Sequence, residues 1–222
     1  MGYFFGEDKL YLDWEIIGSY LISGGTEIVM DLLPDLDDHD LPTVPLLGTV
    51  MAALLFQKGF TVLHGSSVVV NGKALIFLGE KGQGKSTMAA TFNKAGYQLL
   101  SDDVCAISFG NGKARAITYP SFPKMKLWPD AMEHLDYDVA QYQKVHQQFE
   151  KRSIQLEKYF SETSHEIGGI FVLKSGPELV LQEEKGHISI PYLLSHCIVN
   201  RFPEGQPHQV SQTVFSQLTH LP

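Results

Sequence analysis

Eight consecutive residues, Gly79-Glu80-Lys81-Gly82-Gln83-Gly84-Lys85-Ser86, follow the order Gly-x-x-x-x-Gly-Lys-Ser, with Thr87 next in line. The chemistry of that spacing is phosphate binding. Glycines let successive backbone N–H groups converge on phosphate oxygens, and a helix that begins at the loop's end turns its positive terminus toward the same anion. In such a loop Lys85 reaches the β and γ phosphates and Ser86 offers its hydroxyl to Mg²⁺. The apolar run Lys73 to Leu78 before the loop, and Met88-Ala89-Ala90-Thr91-Phe92 after it, supply the strand and helix that the motif requires. A nucleotide and Mg²⁺ are therefore expected to bind. Gly79, Glu80, Lys81, Gly82, Gln83, Gly84, Lys85, Ser86 and Thr87 form the expected nucleotide-binding set, with Thr87 starting the helix.

A bound nucleotide needs chemistry around its γ-phosphate, and Asp102-Asp103 is the first candidate. One carboxylate can hold Mg²⁺, and the other can take the proton of an attacking hydroxyl. Neighbouring residues on a strand point in opposite directions, so a regular strand sends only one of them to the site. His64, in Val62-Leu63-His64-Gly65-Ser66, lies on the segment expected to pair with the loop's own strand. A lone histidine is more often structural. Lys124, Lys126, Lys151, Arg152 and Arg201 are the cations able to balance charge in a transition state; Lys151 and Arg152 rank first by their place in the chain, and each is more often a plain surface charge. Trp128, before Pro129, suits either core packing or a cover for adenine or peptide.

The elements that must position these groups are read from periodicity and turn chemistry. Residues 9–32 alternate around Gly18 and Gly24-Gly25, which predicts two or three antiparallel strands. The acidic stretch Asp35 to Asp40 reads as a solvated loop. Thr43 is placed to cap a helix with Pro45 in its first turn and Leu46, Leu47, Val50, Met51, Leu54 and Leu55 on one face, ending at Gly59. Phe60 to Val70 and Lys73 to Leu78 read as strands joined by Asn71-Gly72, the preferred pair for a type I′ hairpin. A helix from Ser86 to about Lys94 ends at Gly96, and the strand Tyr97 to Leu100 delivers the aspartates at its carboxyl end, where open α/β sheets bind ligands. Ile107 to Phe109 and Arg115 to Tyr119 read as a hairpin about Gly110-Asn111-Gly112. A loop and helix are expected over 120–135, helix over 138–152, strands at Gly168 to Lys174 and Glu178 to Gln182, and closing helices at Ile190 to Arg201 and Val210 to Leu218.

Composition narrows the partners. The 222 residues suit one domain, divided here into an N-terminal β region (1–42) and a core with C-terminal helices (43–222). A net charge of −8 without a basic cluster argues against nucleic acid. The longest apolar run, Val50 to Phe56, is too short to span a bilayer, so no membrane partner is expected. The first six residues match neither a signal peptide nor a myristoylation site, and the expectation is a cytoplasmic protein; self-association into a homo-oligomer is compatible with it. Cys105 and Cys197 lack metal-ligand spacing and read as buried thiols.

Leu63-His64-Gly65, then Gly79 to Ser86, then Ala95 to Asp103, in this order and spacing, resemble the catalytic domain of HPr kinase/phosphorylase, a family whose relatives include phosphoenolpyruvate carboxykinases. His64 lies twenty-one residues before Lys85 and Asp103 eighteen after it, as in that family's pattern. The resemblance implies an α/β phosphate-loop core of HPr kinase type with a mixed sheet, joined to the small N-terminal antiparallel β region. It implies that Asp103 is the base for a serine hydroxyl, that Asp102 supports the metal, and that His64 and Lys85 belong to the active site. The match covers residues 60–105. The family's additional N-terminal domain and its Glu-x-Arg-Gly metal segment are not recognisable, the nearest combination being Glu150-Lys151-Arg152. Pro120 to Pro129 looks like the shorter relatives encoded in peptide natural-product clusters, including lasso peptide kinases, which phosphorylate a serine of a precursor peptide. The expected activity is thus an ATP- and Mg²⁺-dependent serine kinase acting on a peptide or small-protein phosphoacceptor, the alternative being a nucleotide-responsive regulatory module without transfer chemistry. Leu21-Ile22-Ser23-Gly24-Gly25 superficially resembles a transporter signature but precedes the phosphate loop, the wrong order.

Overall fold

The computed structural model describes residues 2–6, 8–36, 38–110, 115–146, 149–156, 158–184, 186–202 and 208–222. An N-terminal antiparallel sheet is formed by β1 (Gly2–Phe5), β2 (Lys9–Trp14), β3 (Gly18–Ser23) and β4 (Glu27–Leu32), in that order. β2 and β3 alternate for the expected reason, with Leu10, Leu12, Tyr20 and Ile22 turned to the core and Tyr11 outward, while the edge strand β4 leaves both Val29 and Met30 about half exposed. The buried Tyr20 hydroxyl donates to the Pro42 carbonyl at 2.8 Å, which ties the sheet to the following helix.

That helix departs from its expected form. It runs as α1 (Thr43–Pro45), a π turn over Leu46–Val50 and α2 (Met51–Gln57). Thr43 does not cap it; its hydroxyl donates to the Asp40 carbonyl at 2.6 Å, and Pro42 stands at the N-cap. The wider π turn offsets the helical register: Val50 is fully buried together with Ala52 and Ala53, while Leu46, Leu54 and Leu55 of the expected face are partly buried against the same core.

The main sheet is mixed and curled, in the order β5-β9-β10-β14-β7-β6-β8. The expected single strand over 60–70 is two, β5 (Thr61–Leu63) and β6 (Ser66–Val70), interrupted at His64-Gly65. The chain over 98–109 breaks in the same way, into β8 (Gln98–Asp102) and β9 (Cys105–Phe109). β6 pairs antiparallel with β8, Ser66 opposite Asp102, and β5 pairs antiparallel with β9, Leu63 opposite Cys105. The two broken strands thus stay partnered through their breaks, and the sheet splits where His64 and Asp103 face one another. Gly65 permits this: a Cβ there would lie 2.7 Å from the Phe77 carbonyl oxygen and 2.8 Å from Leu78 Cδ2.

β7 (Lys73–Leu78) sits in the middle, antiparallel to β6 and parallel to β14 (His165–Val172). The β6–β7 turn has positive φ at both Asn71 and Gly72, as a type I′ hairpin requires. Both faces of β7 are covered, Ile76 and Leu78 by one apolar cluster and Phe77 by the other, which is why its sequence is a continuous apolar run. After α3 (Lys85–Lys94), Gly96 turns the chain with φ of +95°. β10 (Ala116–Thr118) pairs with β9 as a hairpin, although the turn expected at Asn111-Gly112 lies outside the described residues.

The later segments correct several expectations. Residues 120–135 hold β11 (Lys124–Leu127) before the short α4 (Pro129–His134). Pro129 forces Trp128 into extended backbone, so helix cannot start earlier. The described residues of 138–152 are not helical beyond one 3₁₀ turn; β12 (Lys144–His146) and β13 (Phe149–Gln155) join β11 in a three-stranded antiparallel sheet, a long-range pairing invisible in a polar sequence. Glu178 to Gln182 forms no strand, since no described neighbour takes its backbone groups. α5 (Ser189–Ser195), a 3₁₀ turn (Ile198–Arg201) and α6 (His208–Leu218) close the chain. No described helix is long and apolar enough to cross a membrane.

Candidate functional site

The phosphate loop occupies the β7–α3 turn, and its glycines explain its shape. Gly82 and Gly84 have φ of +89° and +83°, and Gly79 has +156°. A Cβ at Gly79 would meet the Leu173 carbonyl oxygen at 3.0 Å and Gln83 Cβ at 3.1 Å. These conformations are cheap only for glycine and leave an open backbone cradle that suits phosphate oxygens. Gly84 stands at the N-cap of α3, Lys85 and Ser86 fill its first turn, and Thr87 follows inside the helix, its carbonyl accepting from the Thr91 hydroxyl at 2.8 Å. The Lys85 ammonium donates to the loop's own carbonyls, Gly79 at 2.7 Å and Glu80 at 3.1 Å. Burial lowers its pKa, and the Asp103 carboxylate opposes that shift.

Asp102 ends β8 and is held from three sides. Its Oδ1 accepts from Ser66 Oγ at 2.7 Å and from Ser86 Oγ at 2.8 Å, and its Oδ2 accepts from the Lys126 backbone N–H at 3.0 Å. Burial and the adjacent Asp103 carboxylate push the Asp102 carboxyl up against these hydrogen bonds. The loop hydroxyl and the strand-end carboxylate are therefore in contact. They are hard oxygen donors, the chemistry that Mg²⁺ prefers, and so fit that ion.

The difficulty of placing two adjacent acids is solved by the backbone. Asp103 has φ of +86°, in the left-handed region where Asp is among the few tolerated side chains, and so it leaves the alternation of the strand. Its Oδ2 accepts from Lys126 Nζ at 3.0 Å. Burial alone raises the pKa of Asp103, but the Lys126 ammonium, with help from Lys151, outweighs it and holds the carboxyl below its usual value. Lys126 thus meets both aspartates, one through its backbone and the other through its side chain.

His64 sits in the break between β5 and β6. Its backbone N–H donates to the His196 carbonyl at 2.8 Å, and its Nδ1 lies 2.9 Å from the Asp103 backbone carbonyl oxygen. A carbonyl only accepts, so Nδ1 carries the proton and Nε2 of the neutral ring is the acceptor. Burial, reinforced by the Arg201 charge, lowers the His64 pKa to about 4 and keeps the ring neutral near neutral pH. His64 accordingly braces the left-handed bend at Asp103.

Of the five cations weighed from sequence, Lys126 is the one with an ion pair to the aspartates. Lys151 Nζ lies 5.8 Å from the Trp128 ring centroid and adds to the positive field at Asp103 and Lys85. Arg152 Nε is buried without a hydrogen-bond partner, Arg201 donates to Thr49 Oγ1 at 3.3 Å, and Lys124 is exposed. Glu150 pairs with Lys144. Ser66 and its bond to Asp102 had no sequence signal, because only the β6–β8 register brings them together. The two thiols are buried and free, with pKa values pushed up to about 11 for Cys105 and about 12 for Cys197. No group of three or more metal-ligating side chains occurs among the described residues.

Beside this cluster lies a cavity of about 290 Å³. His64, Asp103, Lys126 and Arg201 line its charged part, and none of Gly79 to Ser86 lines it. Asp103 thus faces the cavity, while Asp102 beside it faces the loop through Ser86.

No protein-family model matches the chain, and no curated protein matches it. Among solved structures, the HPr(Ser) kinase/phosphatase from Coxiella burnetii is similar in fold over part of the chain, at 17% identity and a TM-score of 0.38, covering 55% of this chain. The match covers 65% of the length of that structure.

Proposed function

We propose that this chain is an ATP- and Mg²⁺-dependent kinase that transfers the γ-phosphate to a serine hydroxyl of a peptide or small protein, a precursor peptide or an HPr-like acceptor. The observation that carries this reading is the separate environments of the two aspartates: Asp102 bonded to the loop's Ser86, Asp103 turned away on a left-handed backbone toward Lys126 and a cavity. A plain nucleotide-binding loop has no need of the second arrangement.

Backbone N–H groups of Gly79 to Ser86 bind the phosphates, and Lys85 exchanges its loop carbonyls for β and γ oxygens. Ser86 and Asp102 would hold Mg²⁺, which neutralises charge on those oxygens when bound. Asp103 accepts the serine proton as the hydroxyl oxygen bonds to phosphorus and ADP leaves. The Lys126 ammonium keeps that carboxylate ionised and aimed, and His64 fixes the bend that presents it. A base of lowered pKa suits a loose transition state, in which the proton is taken late.

Mass spectrometry of serine peptides and small proteins after incubation with ATP and Mg²⁺ tests this. Acceptors carrying one added phosphate on serine are expected. Tight ATP binding with every acceptor unmodified would replace the kinase by a nucleotide-responsive regulatory module.

A further inference from the structure

The cavity beside Asp103 has walls unlike its charged end: Trp14 and Ile17 from the N-terminal sheet, Val44 from the segment bearing the π turn, Val62 from β5 and Ile198 after α5 are all apolar. We infer that it receives an apolar side chain neighbouring the hydroxyl to be phosphorylated, so that the acceptor is a peptide with a large apolar residue next to its serine. The inference rests on the kinase reading. At about 290 Å³ the cavity lies at the small end of ligand pockets, which run to roughly 1,000 Å³. That leaves room for a bulky side chain.

Four further features agree. The cavity shares His64, Asp103 and Lys126 with the transfer site, so a residue seated in it places its neighbour's hydroxyl at Asp103. Ile16 and Phe149 line it while remaining 49% and 48% exposed; a chain leaving the cavity covers them, whereas a small alcohol does not. Lys126 and Arg201 outnumber Asp103 by one charge beside a neutral His64, which disfavours a basic neighbour. The π turn keeps the space open: Gly48 lines the cavity, and a Cβ added there meets nothing within 4 Å.

The test uses fluorescein-labelled heptapeptides of glycine and alanine with a central serine flanked by leucine, phenylalanine, alanine or lysine. Leucine or phenylalanine is expected to raise phosphorylation kcat/KM about tenfold to a hundredfold over alanine, with lysine below alanine. Gly48→Leu, which fills the cavity, is expected to abolish that preference through peptide KM while nucleotide Kd and Tm are retained. The same peptides with serine replaced by alanine are scored for binding by anisotropy, so the cavity is judged even if no phosphate is transferred. Equal binding and turnover for leucine and alanine peptides, or an intact preference in Gly48→Leu, overturns the proposal while leaving the kinase reading in place. Phosphorylation of n-hexanol in preference to every peptide also overturns it, in favour of a small apolar alcohol.

Discussion

Exchanging Asp103 for asparagine removes one negative charge at the convergence of Lys126, His64 and the cavity while preserving shape. The backbone there has φ of +86°, which Asn tolerates as well as Asp. The His64 bond goes to the Asp103 main-chain carbonyl and survives the exchange. What is lost is the 3.0 Å pair with Lys126, whose side chains are 35% and 28% exposed, so its contribution is about 1 kcal/mol or less. At this chain length that is a fall in Tm of about 2–4 °C. Loss of a general base costs about a hundredfold to ten-thousandfold in rate, or roughly 3–5 kcal/mol of barrier. Asp103→Ala adds the left-handed strain of an alanine, roughly 1–2 kcal/mol, and should melt lower than Asp103→Asn at similar residual activity. Single-turnover transfer from ATP, nucleotide titration and calorimetry on both variants read these terms separately. Asp103→Asn turning over within about threefold of the parent, with ATP affinity unchanged, would refute the assignment of Asp103 as the base.

Gly65→Ala forces a Cβ to within 2.7 Å of the Phe77 carbonyl oxygen, which cannot move without disturbing β7, and should cost about 1–3 kcal/mol, seen as a calorimetric fall in Tm. Asp102→Ala strands the Ser66 and Ser86 hydroxyls and the Lys126 N–H, so about 1–3 kcal/mol is lost in urea unfolding. Ser86→Ala should weaken ATP binding measured with Mg²⁺ and leave Mg²⁺-free binding nearly unchanged, by calorimetric titration, because the glycine cradle and Lys85 remain. The His64 imidazole should titrate by NMR near its lowered pKa of about 4. Because the folded protein favours neutral His64, its contribution is complete above the unfolded pKa of about 6.5 and is lost as pH falls toward 4. Urea unfolding from about pH 7 to pH 5 should show a loss of roughly 1–2 kcal/mol after screening, a loss that His64→Gln escapes.

The parts legible in the sequence are those whose physics is local. The phosphate loop, the Asn71-Gly72 turn and the helix stop at Gly96 each depend on a few consecutive residues with unusual backbone freedom, and the structure has them where they were read. The alternation of β2 and β3 follows from burying one face. The polar stretch 138–152 hides its strands because pairing with β11 joins residues 25 to 31 positions apart, and the proline-rich segment before α4 hides its own strand because that strand needs the same partner. His64 was placed on the correct segment, but its interruption of the strand comes from the curl of the sheet.

At the candidate site, the sequence by itself determined the loop, its Lys85 and Ser86, and the presence of two acids at a strand's end, because covalent spacing sets their separation. Tertiary structure alone decided how those acids differ. The β6–β8 register brings Ser66 to Asp102, the left-handed turn at Asp103 redirects a side chain that a regular strand would have sent elsewhere, and β11 delivers Lys126 to both. The cavity likewise exists only because an N-terminal sheet, a π turn and a late 3₁₀ turn meet around the break in the main sheet. Contacts between segments so far apart in the chain are fixed by how apolar faces pack, and that packing is a property of the whole fold.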